Sequence, residues 1–228
     1  MALRKSKSSS VCRKVIAMAK PQTLNFEQYR TIRTNIEFAL GDRQMTSVMI
    51  TSACSGEGKS TTAANLAVVY AQQGKRVLLI DADLRKPTIH TAFHLENRIG
   101  LTSVLCKKSS LDQAVQASNE QRLDVLTSGP IPPNPAELLS SKGMKEVADA
   151  ACAAYDMVIF DTPPILAAAD AKMLGNVADC SVLVISSGKT EKEQAAKAKE
   201  VLESCNSQLL GTIMNGKKLS KEIRNMSY

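Results

Sequence analysis

Residues 47–74 have the sequence SVMITSACSGEGKSTTAANLAVVYAQQG. The apolar and β-branched run at 47–51 predicts a buried strand, and the alanine-rich run at 59–73 predicts a helix that stops before Gly74. A loop of small residues joins the two. Backbone N–H groups and a helix N-terminus attract anions, so a strand, such a loop and a helix in this order predict a phosphate site in an α/β domain.

The loop and the first helical turn supply seven candidate nucleotide-binding residues: Ser55, Gly56, Glu57, Gly58, Lys59, Ser60 and Thr61. The amine of Lys59 can reach the β- and γ-phosphate oxygens of a nucleotide, and the hydroxyl of Ser60 can bind Mg²⁺. The usual pattern, G-x-x-x-x-G-K-[S/T], is matched strictly only from Gly58 onward, because Ala53 stands in its first position. The alternative is a glycine-rich turn with a purely structural role.

Five further strands are predicted at 77–80, 123–126, 157–160, 182–185 and 209–214. Several of these runs are apolar at every position, which is typical of a mainly parallel sheet covered by helices on both faces. Helices are predicted at 25–40, 135–154 and 191–205, the last preceded by a capping-box spacing from Thr190 to Glu193. The sequence therefore predicts a three-layer α/β fold of the P-loop NTPase type, with one core and no repeats.

Acidic residues follow two of the predicted strands. Asp81 and Asp83 follow one apolar run and Asp161 follows another, and parallel strands would bring these ends to the edge that carries the phosphate loop. Asp161 and Asp81 are predicted to hold Mg²⁺ directly or through water, and Asp83 to orient or deprotonate an incoming hydroxyl group. With Lys59 they form the predicted catalytic set. The alternative for each acid is that it only ends a strand or caps a helix, and Arg85 fits either a phosphate contact or a surface salt bridge.

The 228-residue chain carries 29 Lys and Arg against 22 Asp and Glu, a net charge of +7. Basic residues gather at both ends, so we expect a basic flexible arm at 1–24, one domain at 25–216 and a polar, basic tail at 217–228. The arm is either solvated or bound to an anionic surface. With no Trp, four Phe and four Tyr, the chain lacks the basic–aromatic pattern that stacks bases, so nucleic acid is not expected as a partner.

No apolar run approaches the roughly 18 residues of a membrane helix, and the run at 15–19 is too short for a signal-peptide core. We therefore expect a cytoplasmic protein without a membrane span of its own. The six cysteines include no C-x-x-C pair, which argues against a metal knuckle or a redox motif.

Three strings resemble the motifs of the bacterial tyrosine kinases (BY-kinases) of capsule and exopolysaccharide systems: S-G-E-G-K-S-T at 55–61, D-A-D-L-R at 81–85 and V-I-F-D-T-P-P at 158–164. The resemblance spans about residues 27–214. It implies a cytoplasmic kinase subunit of the Gram-positive type that uses ATP and Mg²⁺ to phosphorylate itself and other proteins on tyrosine. It also implies a separate transmembrane adaptor that activates the kinase.

The resemblance assigns Lys59 and Ser60 to the Walker A motif, Asp81 and Asp83 to Walker A′, and Asp161 to Walker B. The positions of these residues, in the loop and at the ends of the predicted strands, had singled them out independently of the resemblance.

The family's E-x-x-R-x-x-R string, associated with ring-shaped oligomers, is matched by Glu27, Arg30 and Arg33. On a helix these residues share a charged face, which fits either a salt-bridged contact between subunits or a solvated surface. The family's tail usually carries several tyrosines, but here only Tyr228 follows the last predicted strand. Tyr228 is the candidate phosphoacceptor, with an incomplete tail or an altered cycle as the alternative. The proline usual before the loop glycine is replaced by Ser55.

Other nucleotide-binding proteins share parts of this pattern. The H-R-D and D-F-G strings of eukaryotic-type kinases are absent. A partition- or division-site ATPase shares the predicted fold, but that class carries a lysine where this chain has Cys54. A non-catalytic nucleotide switch or export regulator remains a further alternative. The string Ser-Gly-Lys-Thr at 187–190 either ends in an N-cap at Thr190 or contacts the nucleotide base.

Overall fold

The computed structural model describes residues 24–41, 43 and 45–217. Their helices are α1 (Leu24–Leu40), α2 (Lys59–Gln72), α3 (Ile89–Phe93), α4 (Leu101–Leu105), α5 (Leu111–Ala114), α6 (Pro135–Leu139), α7 (Lys142–Ala154), α8 (Ala169–Leu174) and α9 (Lys192–Glu203). Their strands are β1 (Ser47–Ser52), β2 (Val77–Asp81), β3 (Val115–Ala117), β4 (Leu123–Leu126), β5 (Met157–Asp161), β6 (Cys180–Ser186) and β7 (Gln208–Asn215).

The strands in this part of the chain form one sheet in the order β3–β4–β2–β5–β1–β6–β7. Every neighbouring pair is parallel except β3 and β4, which are antiparallel. The central strands β1, β2 and β5 are buried at every residue. Their uninterrupted apolar runs are explained by this position, since a strand covered on both faces has no solvent side to alternate with.

Helices cover both faces of the sheet. Successive side chains of a strand point to opposite faces, so Val48 and Ile50 of β1 pack with α1, α2 and α3, whereas Met49 packs with the layer formed by α4 to α9. The three-layer α/β fold with a mainly parallel sheet is therefore confirmed.

The prediction of a single helix at 135–154 is wrong. The chain forms two helices there, α6 and α7, which are separated by Ser140 and Ser141. The hydroxyl groups of these serines donate to the carbonyl oxygens of Glu137 and Leu138, and Ser141 has an extended backbone (φ −70°, ψ 154°). Serine side chains compete for backbone acceptors in this way, which favours a helix end over a helix interior.

The capping box predicted from Thr190 to Glu193 is also wrong. Helix α9 begins at Lys192, after an extended Glu191 (φ −71°, ψ 146°), and the hydroxyl of Thr190 instead donates to Glu57 in the phosphate loop. The short elements β3, α3, α4, α5 and α8 were not predicted. Each has only three to six residues, too few to show a periodic pattern.

The predicted arm at 1–24 and tail at 217–228 lie almost entirely outside the described residues, so their boundaries stay predictions. Among the helices of residues 24–217 that the structure describes, none is long and apolar enough to cross a membrane.

Candidate active site

Three neighbouring strands end at the candidate site. Strand β5 lies between β1 and β2, and its last residue, Asp161, is in register with Ile50 of β1 and with Asp81 of β2. Parallel strands bring their carboxyl ends to one edge of the sheet, so the two aspartates lie side by side there. At the same edge β1 continues into residues 53–58, which we call the phosphate loop.

The phosphate loop has a left-handed backbone at two glycines, Gly56 (φ +82°) and Gly58 (φ +96°). Glycine adopts this conformation without the strain that a Cβ atom causes. Gly58 is the N-cap of the 14-residue helix α2, and no side chain caps this helix end. The first N–H groups of α2 are thus available to a phosphate group, and Lys59 and Ser60 lie in the same turn.

The ammonium group of Lys59 lies between two carboxylates. Its Nζ is 2.7 Å from Asp83 Oδ2 and 3.3 Å from Asp161 Oδ1, and it donates to Ser60 Oγ at 3.1 Å. The exposed fractions of Lys59, Asp83 and Asp161 are 8%, 4% and 0%. Burial alone would lower the pKa of Lys59, but the charges of Asp161 and Asp83 outweigh it and raise this pKa. Lys59 is therefore held as a cation at the sheet edge.

Asp81 both ends a strand and caps a helix, the two roles that the sequence allowed as alternatives to metal binding. It is the last residue of β2, and its Oδ2 accepts hydrogen bonds from the backbone N–H groups of Thr88 and Ile89, both at 3.0 Å, where α3 begins. Its Oδ1 accepts from the N–H of Asp83 at 3.3 Å. Strand β2 ends at Asp81 and does not continue to Asp83. These backbone bonds hold the turn that brings Asp83 to Lys59.

Asp81 and Asp161 form a buried pair of carboxyl groups. Burial, followed by the charge of Asp161, raises the pKa of Asp81 to about 8. Burial also raises the pKa of Asp161, although the nearby Lys59 ammonium opposes that change. Two adjacent carboxyl groups in a dry site do not both ionise readily, so at neutral pH the pair retains a proton.

The site fits a magnesium ion that arrives with a nucleotide. Asp161 Oδ2 is buried and has no hydrogen-bond partner among the described residues. In that part of the chain, no group of three or more His, Cys, Asp or Glu side chains is placed to hold a metal ion. Mg²⁺ usually keeps several waters and uses one or two carboxylates together with substrate phosphates, so one free carboxylate oxygen near the Ser60 hydroxyl suits it.

The side chain of Glu57 binds protein groups within and beside the phosphate loop. Its Oε2 accepts from the Cys54 N–H at 2.8 Å, and its Oε1 accepts from the Thr190 hydroxyl. Asn215, at the end of β7, donates from Nδ2 to the backbone oxygen of Glu57 at 2.9 Å. Sequence reasoning counted Glu57 as a nucleotide-binding residue and missed Asn215, since no motif marks the end of β7.

Arg85 forms the salt bridge that was one of its two interpretations. Its Nε lies 2.7 Å from Asp170 Oδ2 and its Nη2 lies 3.1 Å from Oδ1, while the Asp170 side chain is fully buried. This bidentate pair joins the loop after β2 to the start of α8.

The E-x-x-R-x-x-R residues of α1 do not all face outward. Glu27 and Arg30 are exposed and form an ion pair of 3.2 Å, whereas Arg33 is partly buried and donates to the backbone oxygen of Val69 in α2 at 3.0 Å. Arg33 therefore ties α1 to its own domain, and Glu27 and Arg30 remain accessible. Tyr228, the candidate phosphoacceptor, lies outside the described residues.

The chain matches the family model described as an AAA domain over residues 45–209. It is 81% identical to the tyrosine-protein kinase YwqD of Bacillus subtilis over 221 residues, which cover 97% of this chain and 93% of that protein. The kinase domain of the Escherichia coli tyrosine kinase ETK superposes with a TM-score of 0.86 at 33% identity, covering 97% of this chain and 87% of that structure.

The chimerical protein CapA2B2 also has a similar structure, with a TM-score of 0.86, 41% identity and 90% coverage of both chains. The septum site-determining protein MinD of Pyrococcus horikoshii, solved in complex with Mg-ADP, has a TM-score of 0.65 at 24% identity and covers 78% of this chain and 75% of that structure, a likeness of fold alone. These similarities, together with the carboxylates that lie at the sheet edge beside the phosphate loop, show that the chain belongs to the bacterial tyrosine-protein kinases that are built on a P-loop fold.

Proposed function

We propose that this tyrosine-protein kinase uses Mg-ATP and transfers the γ-phosphoryl group to tyrosine residues of its own chain and of other proteins. The observation that carries the proposal is the Lys59 ammonium, held between Asp83 and Asp161 beside an uncapped helix N-terminus. A cation, a ring of N–H donors and adjacent carboxylates are the groups that phosphoryl transfer requires, since its catalysis consists mostly of positioning and charge stabilisation.

In this proposal the phosphate loop and the first turn of α2 bind the triphosphate, with N–H donors from Ser55 to Thr61. Lys59 stabilises negative charge on the γ-phosphoryl oxygens and on the departing ADP. Ser60 and Asp161 hold Mg²⁺, which when bound neutralises the phosphate charge, and Asp81 lies next to Asp161 to support it.

Asp83 aligns the tyrosine hydroxyl. The phenolic oxygen forms a bond to the γ-phosphorus, the bond from that phosphorus to the β,γ-bridging oxygen breaks, and ADP leaves. The phenolic proton passes to the Asp83 carboxylate, which the structure places 2.7 Å from Lys59. Because the transition state is loose, this proton does not need to leave early.

We propose Tyr228 as the acceptor for self-phosphorylation. The other tyrosines are held in the domain: Tyr70 is fully buried, Tyr155 donates to Asp124 Oδ2 at 2.9 Å, and Tyr29 packs against the core. Burial raises the pKa of Tyr70 and of Tyr155 far above the ordinary value. These side chains are poor acceptors because each would have to leave its packing to reach Lys59.

We further propose that a transmembrane adaptor recruits the kinase to the inner face of the membrane and activates it, and that the pathway regulated is capsule or exopolysaccharide synthesis. The names of CapA2B2 and of relatives such as the putative tyrosine-protein kinase in the cps region of Klebsiella pneumoniae support this assignment. Glu27 and Arg30, which α1 presents to solvent, are proposed to contact a second copy of the chain.

A phosphotyrosine assay tests the proposal. The full chain is incubated with radioactive ATP and Mg²⁺, with and without the adaptor's cytoplasmic segment, and Lys59→Met is expected to abolish tyrosine labelling while leaving the fold intact. Lys142→Met, which removes a lysine from an exposed ion pair, is the matched control and should retain activity. An active Lys59→Met would contradict the proposal, and phosphate release to water without phosphotyrosine would favour the ATPase alternative.

A further inference from the structure

A cluster of three residues lies on the side of the phosphate loop away from the Lys59 carboxylates. Glu57 belongs to the loop itself, Thr190 to the connection between β6 and α9, and Asn215 to the end of β7. The two partners are 133 and 158 residues away from Glu57 in sequence, yet both bind it directly.

The carboxylate of Glu57 is almost fully buried, with 4% of the residue exposed, so it depends on its hydrogen bonds. One bond comes from Cys54 within the loop and the other from the Thr190 hydroxyl. Thr190 is itself fixed, because its Oγ1 accepts from the Ser186 N–H at 2.8 Å. The loop carboxylate is therefore anchored to the end of strand β6.

Asn215 holds the opposite, backbone side of the same residue. Its Nδ2 donates to the Glu57 oxygen at 2.9 Å, and its own backbone oxygen accepts from the Ser187 N–H at 2.8 Å. The amide group also packs against Gly58, where an added Cβ atom would come within 2.1 Å of the Asn215 Nδ2. Asn215 thus supports the residue immediately before Lys59 and the first turn of α2.

We infer that Thr190 and Asn215 are positioning residues that hold the phosphate loop in its nucleotide-binding shape through Glu57. This inference rests on the proposed binding of Mg-ATP by the loop. These hydrogen bonds from Thr190 and Asn215 to Glu57, which we call the clamp, keep the negative charge of Glu57 turned away from the phosphate position and hold the loop in this shape before a ligand arrives. Preorganised donors bind anions more tightly, because no ordering cost remains to be met at binding.

The removal of the clamp is expected to weaken nucleotide binding without changing the chemistry at Lys59. Valine has nearly the same shape as threonine, but in Thr190→Val the charged Glu57 carboxylate no longer accepts a hydrogen bond from residue 190 and is free to turn toward water or the phosphates. We expect the Kd for Mg-ADP and the KM for ATP to rise about tenfold, with kcat little changed. Thr190→Ser keeps the hydroxyl and should restore both values.

Asn215→Ala tests the clamp from its other side and should weaken Mg-ADP binding in the same direction, even if Thr190→Val folds poorly. Because both residues act on Glu57, the double variant should lose less affinity than the product of the two single losses. Thr212→Val, the same change at an exposed position of β7, is the matched control and should bind like the wild type.

Binding of Mg-ADP to the full chain is measured by titration calorimetry, and the melting temperature is recorded without nucleotide. A role in stability alone would lower the melting temperature and leave the Kd of the folded protein unchanged. Wild-type affinity in both Thr190→Val and Asn215→Ala would overturn the inference. If the wild type itself failed to bind Mg-ADP, the proposed function would be wrong, an outcome distinct from failure of the clamp.

Discussion

The substitution Asp81→Asn should remove most of the pH dependence of stability that the buried carboxyl pair causes. Asparagine has the size of aspartate, and its carbonyl oxygen can still accept from the N–H groups of Thr88 and Ile89. The variant therefore keeps the cap of α3 and loses the titrating group.

The sign follows from the pKa of Asp81, which burial and the charge of Asp161 raise from 3.8 in a free chain to about 8 in the folded protein. Between these two values the folded protein retains a proton that the unfolded chain has released. The free energy of unfolding then falls as the pH rises, by about 1.4 kcal/mol per pH unit for one proton. Between pH 5 and pH 7 this group alone lowers the free energy of unfolding by about 3 kcal/mol.

Urea unfolding at pH 5, 6 and 7, without Mg²⁺ or nucleotide, measures this effect. In Asp81→Asn the slope should become less negative than in the wild type by about 1.4 kcal/mol per pH unit. Groups outside the Asp81–Asp161 pair, such as His90, contribute equally to both proteins and cancel in the difference. Asp149→Asn, which removes an exposed carboxylate paired with Lys145, is the control and should leave the slope unchanged. Equal slopes in the wild type and Asp81→Asn would refute the reasoning.

Three further outcomes are expected. Gly58→Ala should cost about 1–2 kcal/mol of stability and weaken Mg-ADP binding, because the backbone is left-handed there and the added Cβ atom would meet Asn215. Gly74 is equally left-handed but lies in open space, so Gly74→Ala should show only the loss of stability, measured by urea unfolding. Arg85→Ala should destabilise by about 2 kcal/mol in the same assay, because the Asp170 carboxylate loses its bidentate partner and only water entering from the half-exposed side replaces it. The double change with Asp170→Asn should recover part of that loss. Tyr228→Phe should abolish self-labelling in a phosphotyrosine immunoblot yet leave labelling of an added protein substrate; persistent self-labelling would point to another acceptor.

Much of the fold was predictable because its central strands consist mostly of apolar residues. The runs at 47–51, 77–80 and 157–160 are short, continuous and bounded by turn residues, which is how fully buried parallel strands differ from amphipathic ones. Strand β3 was not predicted, since its three partly exposed residues form a strand only by pairing with β4 at the sheet edge.

The candidate site was predictable where its residues follow directly from a strand or loop pattern. Lys59, Asp83 and Asp161 were expected to meet and do meet, although the catalytic and metal-binding roles assigned to them stay predictions. Thr190 was misassigned because a helix cap and a contact to a distant loop have the same local sequence. Only the position of the residue across the sheet distinguishes these interpretations.

The sequence by itself determined the main strands and long helices, the phosphate loop and the acids at the strand ends, because each depends on residues close together in the chain. The tertiary structure alone decided how those groups are used: that Asp81 caps α3, that Arg33 turns into its own domain, and that Asn215 supports Glu57. Buried polar groups must find hydrogen-bond partners, and which partners are within reach depends on the packing of segments that are far apart in the chain.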